Sequence, residues 1–304
     1  MKLSPNHREA EIRSAVIQAE SYSWWNDYLL LVKFRLSMLV VMTSLMGYAI
    51  ASGGGFQWLA ALILGLGGFL VTASANAINQ VLEKEFDALM ERTRQRPLAA
   101  GRMRSSEAVL FAGIACLLGV SALAFFNPLT ALLGMISLIM YAFVYTPLKR
   151  YSTLSVAVGG IPGALPVLIG YTAYSGEISV LALVLFSIQF LWQFPHFWSI
   201  GYLAFDDYHK AGYKLLPERN GKIDPKVGLY SSLYALLIVP FTCILLWYST
   251  IHPVAIGFGI ILSIAYGGAC MEMYRKQDKK SALTVMFCSF AYLPLVFTGF
   301  LLAL

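Results

Sequence analysis

Charge is scarce in this chain. Only 12% of its 304 residues are Asp, Glu, Lys or Arg, against about 25% in a typical soluble domain. That shortage excludes a soluble enzyme, and there is no low-complexity tract and no polar stretch large enough for a soluble domain. Cysteine is scarce too. Cys116, Cys243, Cys270 and Cys288 all lie inside apolar runs. They have neither metal-ligand spacing nor a disulfide framework, and they read as packing residues. A secretory signal is missing as well. The first 27 residues are polar and mixed in charge, with no short apolar core and no small-residue cleavage site.

What the chain has is hydrocarbon. Hydrophobic types make up 58% of it, and the mean hydropathy is +0.68. Apolar runs recur at about 29–51, 56–78, 107–126, 129–148, 153–174, 178–200, 228–249, 253–273 and 282–303. Each is near the ~20 residues that cross a bilayer. They predict an all-α, polytopic membrane protein with about nine transmembrane helices. Residues 1–28 are expected to form a cytoplasmic segment with Trp24 and Trp25 as interfacial anchors. Residues 29–304 are expected to form one transmembrane domain in the lipid bilayer.

The loops predict its orientation. Residues 51–55, the turn around Asn127-Pro128, the Ser249–Pro253 turn and the C-terminus carry no charge, and the loop at Ser175–Glu177 has one acid. All 22 Lys and Arg residues fall in or near the alternate loops. By the positive-inside rule those loops, and the N-terminus, are cytoplasmic. The net charge of +6 therefore reports topology and does not point to nucleic acid. Two basic loops are long, 79–106 and 201–227, and both open with carboxylates. Asp87 and Asp207 lie 120 positions apart, but the two halves are too dissimilar to read as a repeat.

The first loop carries the sharpest pattern. Asn79, Glu83 and Asp87 are spaced four apart, which stacks their side chains on one helix face. Oxygen ligands in such a column suit a hard cation such as Mg²⁺, which is usually held by one or two carboxylates and by substrate phosphates. Lys84 and the arginines Arg92, Arg94, Arg96, Arg102 and Arg104 follow, and guanidinium forks suit phosphate oxygens. A solvated helix end with positive-inside arginines would leave a similar trace. Together the acids and arginines suggest a diphosphate that carries a lipid tail.

Three further constellations stand beside it. Tyr145-Thr146-Pro147-Leu148-Lys149-Arg150 ends the fourth span, and its donors would complete a diphosphate cradle; alone it would read as an aromatic belt with a stop-transfer pair. His196 lies in the apolar run Trp192–Trp198, where a polar group is costly and is a functional candidate by default. It suits a haem iron, a proton transfer, or a hydrogen bond across helices. His7, His209 and His252 read as loop residues. Asp206 and Asp207 are adjacent, so they point about 100° apart on a helix and only one is expected to face a metal ion. Lys33 and Arg35, at the start of the first span, would add positive charge for an anion or snorkel to the interface.

These motifs resemble the UbiA superfamily of intramembrane prenyltransferases. The resemblance rests on Asn79, Glu83 and Asp87 running into Met90-Glu91-Arg92-Thr93, Arg96-Pro97-Leu98, then on Tyr145-Thr146 and Lys149-Arg150. Trp192-Gln193, Pro195-His196-Phe197, Asp207-Tyr208, Ala211-Gly212 and Leu216-Pro217 are similar to the branch that prenylates haem. Glu83 stands where the family usually has Asp, and Phe34 where it often has Pro.

The resemblance implies a UbiA-type bundle, farnesyl diphosphate and haem B as substrates, and Mg²⁺ as cofactor. Asn79, Glu83, Asp87 and Asp207 would be catalytic, with Asp206 a further metal candidate. Lys33, Lys84, Arg92, Arg96, Tyr145, Lys149 and Arg150 would bind the diphosphate, and His196 the haem. A bacterial inner membrane is implied, with haem A synthase or a terminal oxidase as partner. An aromatic quinone precursor is the alternative acceptor. A transporter would carry its charges at mid-membrane in broken helices, whereas these acids sit at helix ends.

Overall fold

The computed structural model describes residues 23–304. Most of the expected N-terminal segment, 1–28, therefore lies outside the described residues. Its last part enters α1 (Trp24–Leu31). In chain order there follow α2 (Phe34–Ser52), α3 (Trp58–Asp87), α4 (Ser105–Ala124), α5 (Pro128–Leu148), α6 (Ser155–Ser175) and α7 (Val180–Leu203). A short α8 (Phe205–Lys210) precedes α9 (Val227–Tyr248), α10 (Pro253–Lys276) and α11 (Lys279–Leu301). Among the described residues, nine of these helices are long and apolar enough to cross a membrane. The chain is a multi-pass membrane protein.

The outward faces are hydrocarbon. Leu110, Leu117 and Ile261 are each more than half exposed, which only lipid tolerates at this density. The bundle is built on α6. Its most apolar window is 72% buried, against 28–50% for the other spans. It packs on α2, α5 and α7, and α7 in turn holds α9 and α11. Helices in lipid gain nothing from burying more hydrocarbon, so small residues that let backbones touch decide the contacts. A Cβ on Gly170 of α6 would lie 1.7 Å from the Ser44 carbonyl oxygen of α2, and one on Gly47 of α2 would lie 2.2 Å from that of Val167. Pro166 removes the amide that would have bonded Pro162 O. Ser137 of α5 donates to that carbonyl instead, at 3.3 Å.

Three local departures from the expected elements follow from the backbone. The second helix does not stop at residue 78: α3 runs on to Asp87, so the opening of the first long loop is helical. The first span, expected from residue 29, is broken. Lys33 is left-handed (φ 49°) between α1 and α2. The second long loop contains a hairpin, β1 (Glu218–Arg219) with β2 (Lys222–Ile223), in an otherwise helical chain. Asn220 and Gly221 both have positive φ, 56° and 71°. That is the turn an Asn-Gly pair favours, because its twist matches that of the strands.

Candidate active site

The acid column sits where α3 outruns the membrane. Its 30 residues span about 45 Å at about 1.5 Å each, against about 30 Å of hydrocarbon. Asn79, Glu83 and Asp87 occupy the surplus turns. All three are buried, at 0%, 4% and 1% exposure. Each meets a cation. Lys33 Nζ donates to Asn79 Oδ1 at 2.7 Å. Lys149 Nζ lies 2.5 Å from Glu83 Oε1. Arg96 Nη1 donates to both Asp87 carboxylate oxygens, at 2.8 and 2.7 Å. Asn79 Nδ2 then ties the column together, donating to Glu83 Oε2 at 2.7 Å and to Thr146 Oγ1 at 3.0 Å. The centre thus sets two carboxylates and a carboxamide against two lysines and an arginine.

The sequence folds to aim those cations. In α5 a π-helical turn, Met140–Tyr145, precedes Thr146, and such turns are frequent at functional sites. The N–H and Oγ1 of Thr146 both bond Tyr141 O, five residues back. Lys33 reaches Asn79 because the chain breaks before it. The left-handed conformation costs a non-glycine residue about 1–2 kcal/mol, and the break leaves carbonyls without helical partners. Two buried carboxamides of α3 help satisfy them, beside Lys33 N on Leu30 O at 3.2 Å and Ser37 Oγ on Val32 O at 2.6 Å. Gln80 Nε2 donates to Leu30 O and Leu31 O at 2.9 and 2.8 Å, and Asn76 Nδ2 donates to Val32 O at 3.2 Å. Asn76 and Gln80 were not singled out from the sequence. Their signal was available: two carboxamides four apart in an apolar run, adjacent to the column.

The second long loop covers the site. Arg92 donates to Tyr208 Oη at 2.9 Å, and Lys214 N donates to Lys149 O at 2.7 Å. Met90, Ala211 and Tyr213 form a small buried cluster between them. Lys149 Nζ stands 4.8 Å from the Tyr145 ring centroid and 5.3 Å from that of Tyr213. Burial, with the Glu83 and Asp87 carboxylates nearby, pushes the Tyr213 phenol pKa up, so it remains an O–H donor.

Not every expected residue joins this cluster. Lys84 is exposed on α3; one residue past Glu83, it is turned about 100° off the buried face. Asp206 is exposed, while Asp207 beside it is half-buried and 3.9 Å from Lys210. Among the described residues no three Asp, Glu, His or Cys side chains converge as a metal site. Arg92 and Arg150 form an outer ring. Both are exposed, and Arg150 stacks on Phe86 at 4.2 Å. The other arginines serve structure: Arg94 pairs with Glu91, Arg102 with Asp27, and Arg104 precedes α4, where its backbone N–H donates to Glu107 Oε2 at 3.4 Å. Arg35 is exposed. His196 packs toward α11 instead, with Nδ1 2.8 Å from Ser289 Oγ and its ring stacked on Trp192.

The column's donors fit a hard divalent cation. They are buried and all oxygen, and Glu83 Oε1 is held by the Lys149 ammonium, 2.5 Å away. Two carboxylates and a carboxamide leave coordination positions for substrate phosphates and water, as Mg²⁺ prefers.

The protein is thus a membrane-spanning helical bundle with a buried acid column met by basic side chains at one end. Residues 40–292 match the model of the UbiA prenyltransferase family, and the chain belongs to that family. It is an enzyme that transfers prenyl groups. It is similar to the protoheme IX farnesyltransferase of Cytophaga hutchinsonii, 40% identical over 289 residues, covering 92% of this chain and 98% of that one. The protoheme IX farnesyltransferase of Flavobacterium johnsoniae is 38% identical over 276 residues, covering 89% and 91%. The fold is that of solved UbiA structures. One, from work on digeranylgeranylglyceryl phosphate synthase, superposes with a TM-score of 0.75 at 20% identity, covering 92% of this chain and 98% of that chain. A UbiA homolog from Archaeoglobus fulgidus bound to GPP and Mg²⁺ superposes with a TM-score of 0.60 at 16% identity, covering 90% and 99%.

Proposed function

We propose that this chain joins farnesyl diphosphate, haem B and water to give haem O and diphosphate. The observation that carries the reading is the buried Asn79–Glu83–Asp87 column with its three cations, in a chain 40% identical to a named protoheme IX farnesyltransferase. The barrier is loss of diphosphate from an allylic carbon. Mg²⁺ held by Asn79, Glu83 and Asp87 would neutralise the charge that builds on the leaving group. We assign Asp207, half-buried where the exposed Asp206 is not, as the second-loop residue that would hold a further divalent ion.

Lys149 and Arg96 pair with the two carboxylates, and Lys33 bonds the Asn79 carboxamide oxygen. With Mg²⁺ held by the column, these three side chains would bind diphosphate oxygens. Arg92 and Arg150 extend this ring outward, and the Tyr145 hydroxyl adds a neutral donor. The farnesyl C1–O bond breaks, and a haem vinyl group attacks C1. Water then adds to the resulting cation and loses a proton, which leaves a hydroxyethyl-farnesyl substituent. The farnesyl tail gains roughly 0.8 kcal/mol for each CH₂ buried among the helices.

His196 is assigned to the haem. Ser289 Oγ donates its one proton to Met286 O at 2.5 Å, so it accepts from His196 Nδ1–H. That tautomer leaves the Nε2 lone pair for an iron. The transmembrane domain, 29–304, is placed in a bacterial inner membrane with its basic loops and N-terminus cytoplasmic. A haem A synthase or terminal oxidase would take up the product. The test is extraction of pigment from membranes with and without the protein, after supply of labelled farnesyl diphosphate with haem or with hydroxybenzoate. Label in a farnesylated haem is expected; label in the hydroxybenzoate adduct alone would overturn the reading.

A further inference from the structure

The described second loop buries one group for which the reading above has no use. Tyr213 lies between α8 and β1 and is 4% exposed. Its ring is held by Phe86 and Tyr208, at centroid distances of 6.1 and 6.2 Å, and by the Met90–Ala211 contact. The backbone next to it is pinned, since Lys214 N donates to Lys149 O. Packing alone would be served as well by Phe. The hydroxyl is what needs a reason. It faces the Glu83 carboxylate, with Asp87 and Arg96 nearby. It meets no partner in hydrogen-bond geometry, while the carboxylate it faces is held by Lys149, whose Nζ lies 2.5 Å from Glu83 Oε1. A buried hydroxyl without a partner is costly, so this one is set to meet an acceptor that arrives with the substrate. The Lys149 ammonium lies over the same ring.

We propose that the Tyr213 hydroxyl contacts the substrate, donating a hydrogen bond to a diphosphate oxygen lodged between Glu83 and Lys149. The inference rests on the proposed diphosphate chemistry and adds a residue to it. Unlike the lysines and arginines, this donor carries no charge. It can sit against Glu83 without forming an ion pair that the substrate must break. It also comes from the second loop, whereas the column comes from the first helix to pass through the site's centre. One hydrogen bond from Tyr213 therefore links the cover to the anion beneath it.

The full-length enzyme in detergent micelles tests this, with Tyr213→Phe and Tyr213→Leu beside wild type. The readouts are KM for farnesyl diphosphate, the inhibition constant of pyrophosphate with Mg²⁺, KM for haem, and melting temperature. Tyr213→Phe is expected to raise both diphosphate-dependent constants about tenfold, the effect of losing one hydrogen bond to a charged group. Its haem KM and melting temperature are expected to stay at wild-type values. Tyr213→Phe equal to wild type while Tyr213→Leu fails would reduce the residue to packing and overturn the inference alone. Wild-type enzyme that does not bind pyrophosphate with Mg²⁺ would overturn the reading of the whole site, and this inference with it.

Discussion

Replacing Asp87 by Asn separates what the column does for the fold from what it does for the reaction. The side chain keeps its shape and loses its charge. Arg96 loses an ionic partner that it holds at 2.7 and 2.8 Å. Breaking a fully buried pair costs about 3–5 kcal/mol. Arg96 is 18% exposed at its side chain, so water can take up part of the lost interaction, and the Asn oxygen still accepts a hydrogen bond. A stability loss of about 1–2 kcal/mol is expected. The chemical loss is larger, because the column keeps one carboxylate of two. If the metal supplies about 4 kcal/mol of transition-state stabilisation through this column, turnover falls roughly a thousandfold at about 1.4 kcal/mol per decade. The assay follows labelled farnesyl transfer to haem by chromatography of extracted pigment, over a Mg²⁺ series, beside a thermal melt. A variant that melts within a few degrees of wild type, turns over about a thousandfold more slowly and needs more Mg²⁺ is the expected result. Wild-type turnover at wild-type Mg²⁺ would refute the metal column. So would a loss of rate that tracks loss of the folded protein.

Other perturbations read other parts of the site. Gln80→Leu removes the donors to Leu30 O and Leu31 O, so KM for farnesyl diphosphate should rise about tenfold through a displaced Lys33. In a Lys33→Met background the same change should add little, and additive losses in that double-mutant cycle would show that Gln80 acts elsewhere. Ser289→Ala removes the hydroxyl that lies 2.8 Å from His196 Nδ1, and we expect a raised haem KM with unchanged farnesyl diphosphate KM. Ser289→Thr should restore it. His196→Ala should abolish haem binding, measured by absorbance titration, and an unchanged affinity would reject the assignment.

Much of the architecture was legible before any coordinates. A span is announced by about 20 consecutive apolar residues, and hydropathy is a local property. The column was legible for the same reason: Asn79, Glu83 and Asp87 stand four apart, and the helix period alone brings them to one face. The failures are also physical. Lys84 is one residue from Glu83 and was grouped with it by proximity in sequence, yet the helix turns it outward. The break at Lys33 carries no Gly or Pro to announce it, since its cost is met by carboxamides from another helix. The hairpin at Asn220-Gly221 had its turn signal in plain sight, but a four-residue ladder in a chain of helices leaves little periodicity to read.

The sequence by itself therefore determined the number of spans, the alternation of basic and bare loops, and the acid column, because each depends on residues within a few turns of one another. Only the tertiary structure decided which side chains meet in the site. Lys33 reaches across 46 positions to Asn79, Asn79 across 67 to Thr146, and Arg92 across 116 to Tyr208. Those meetings follow from how close glycine lets α2 approach α6, from the π turn in α5, and from the fold of the second loop over the first. Helix spacing along one chain segment carries no record of such contacts.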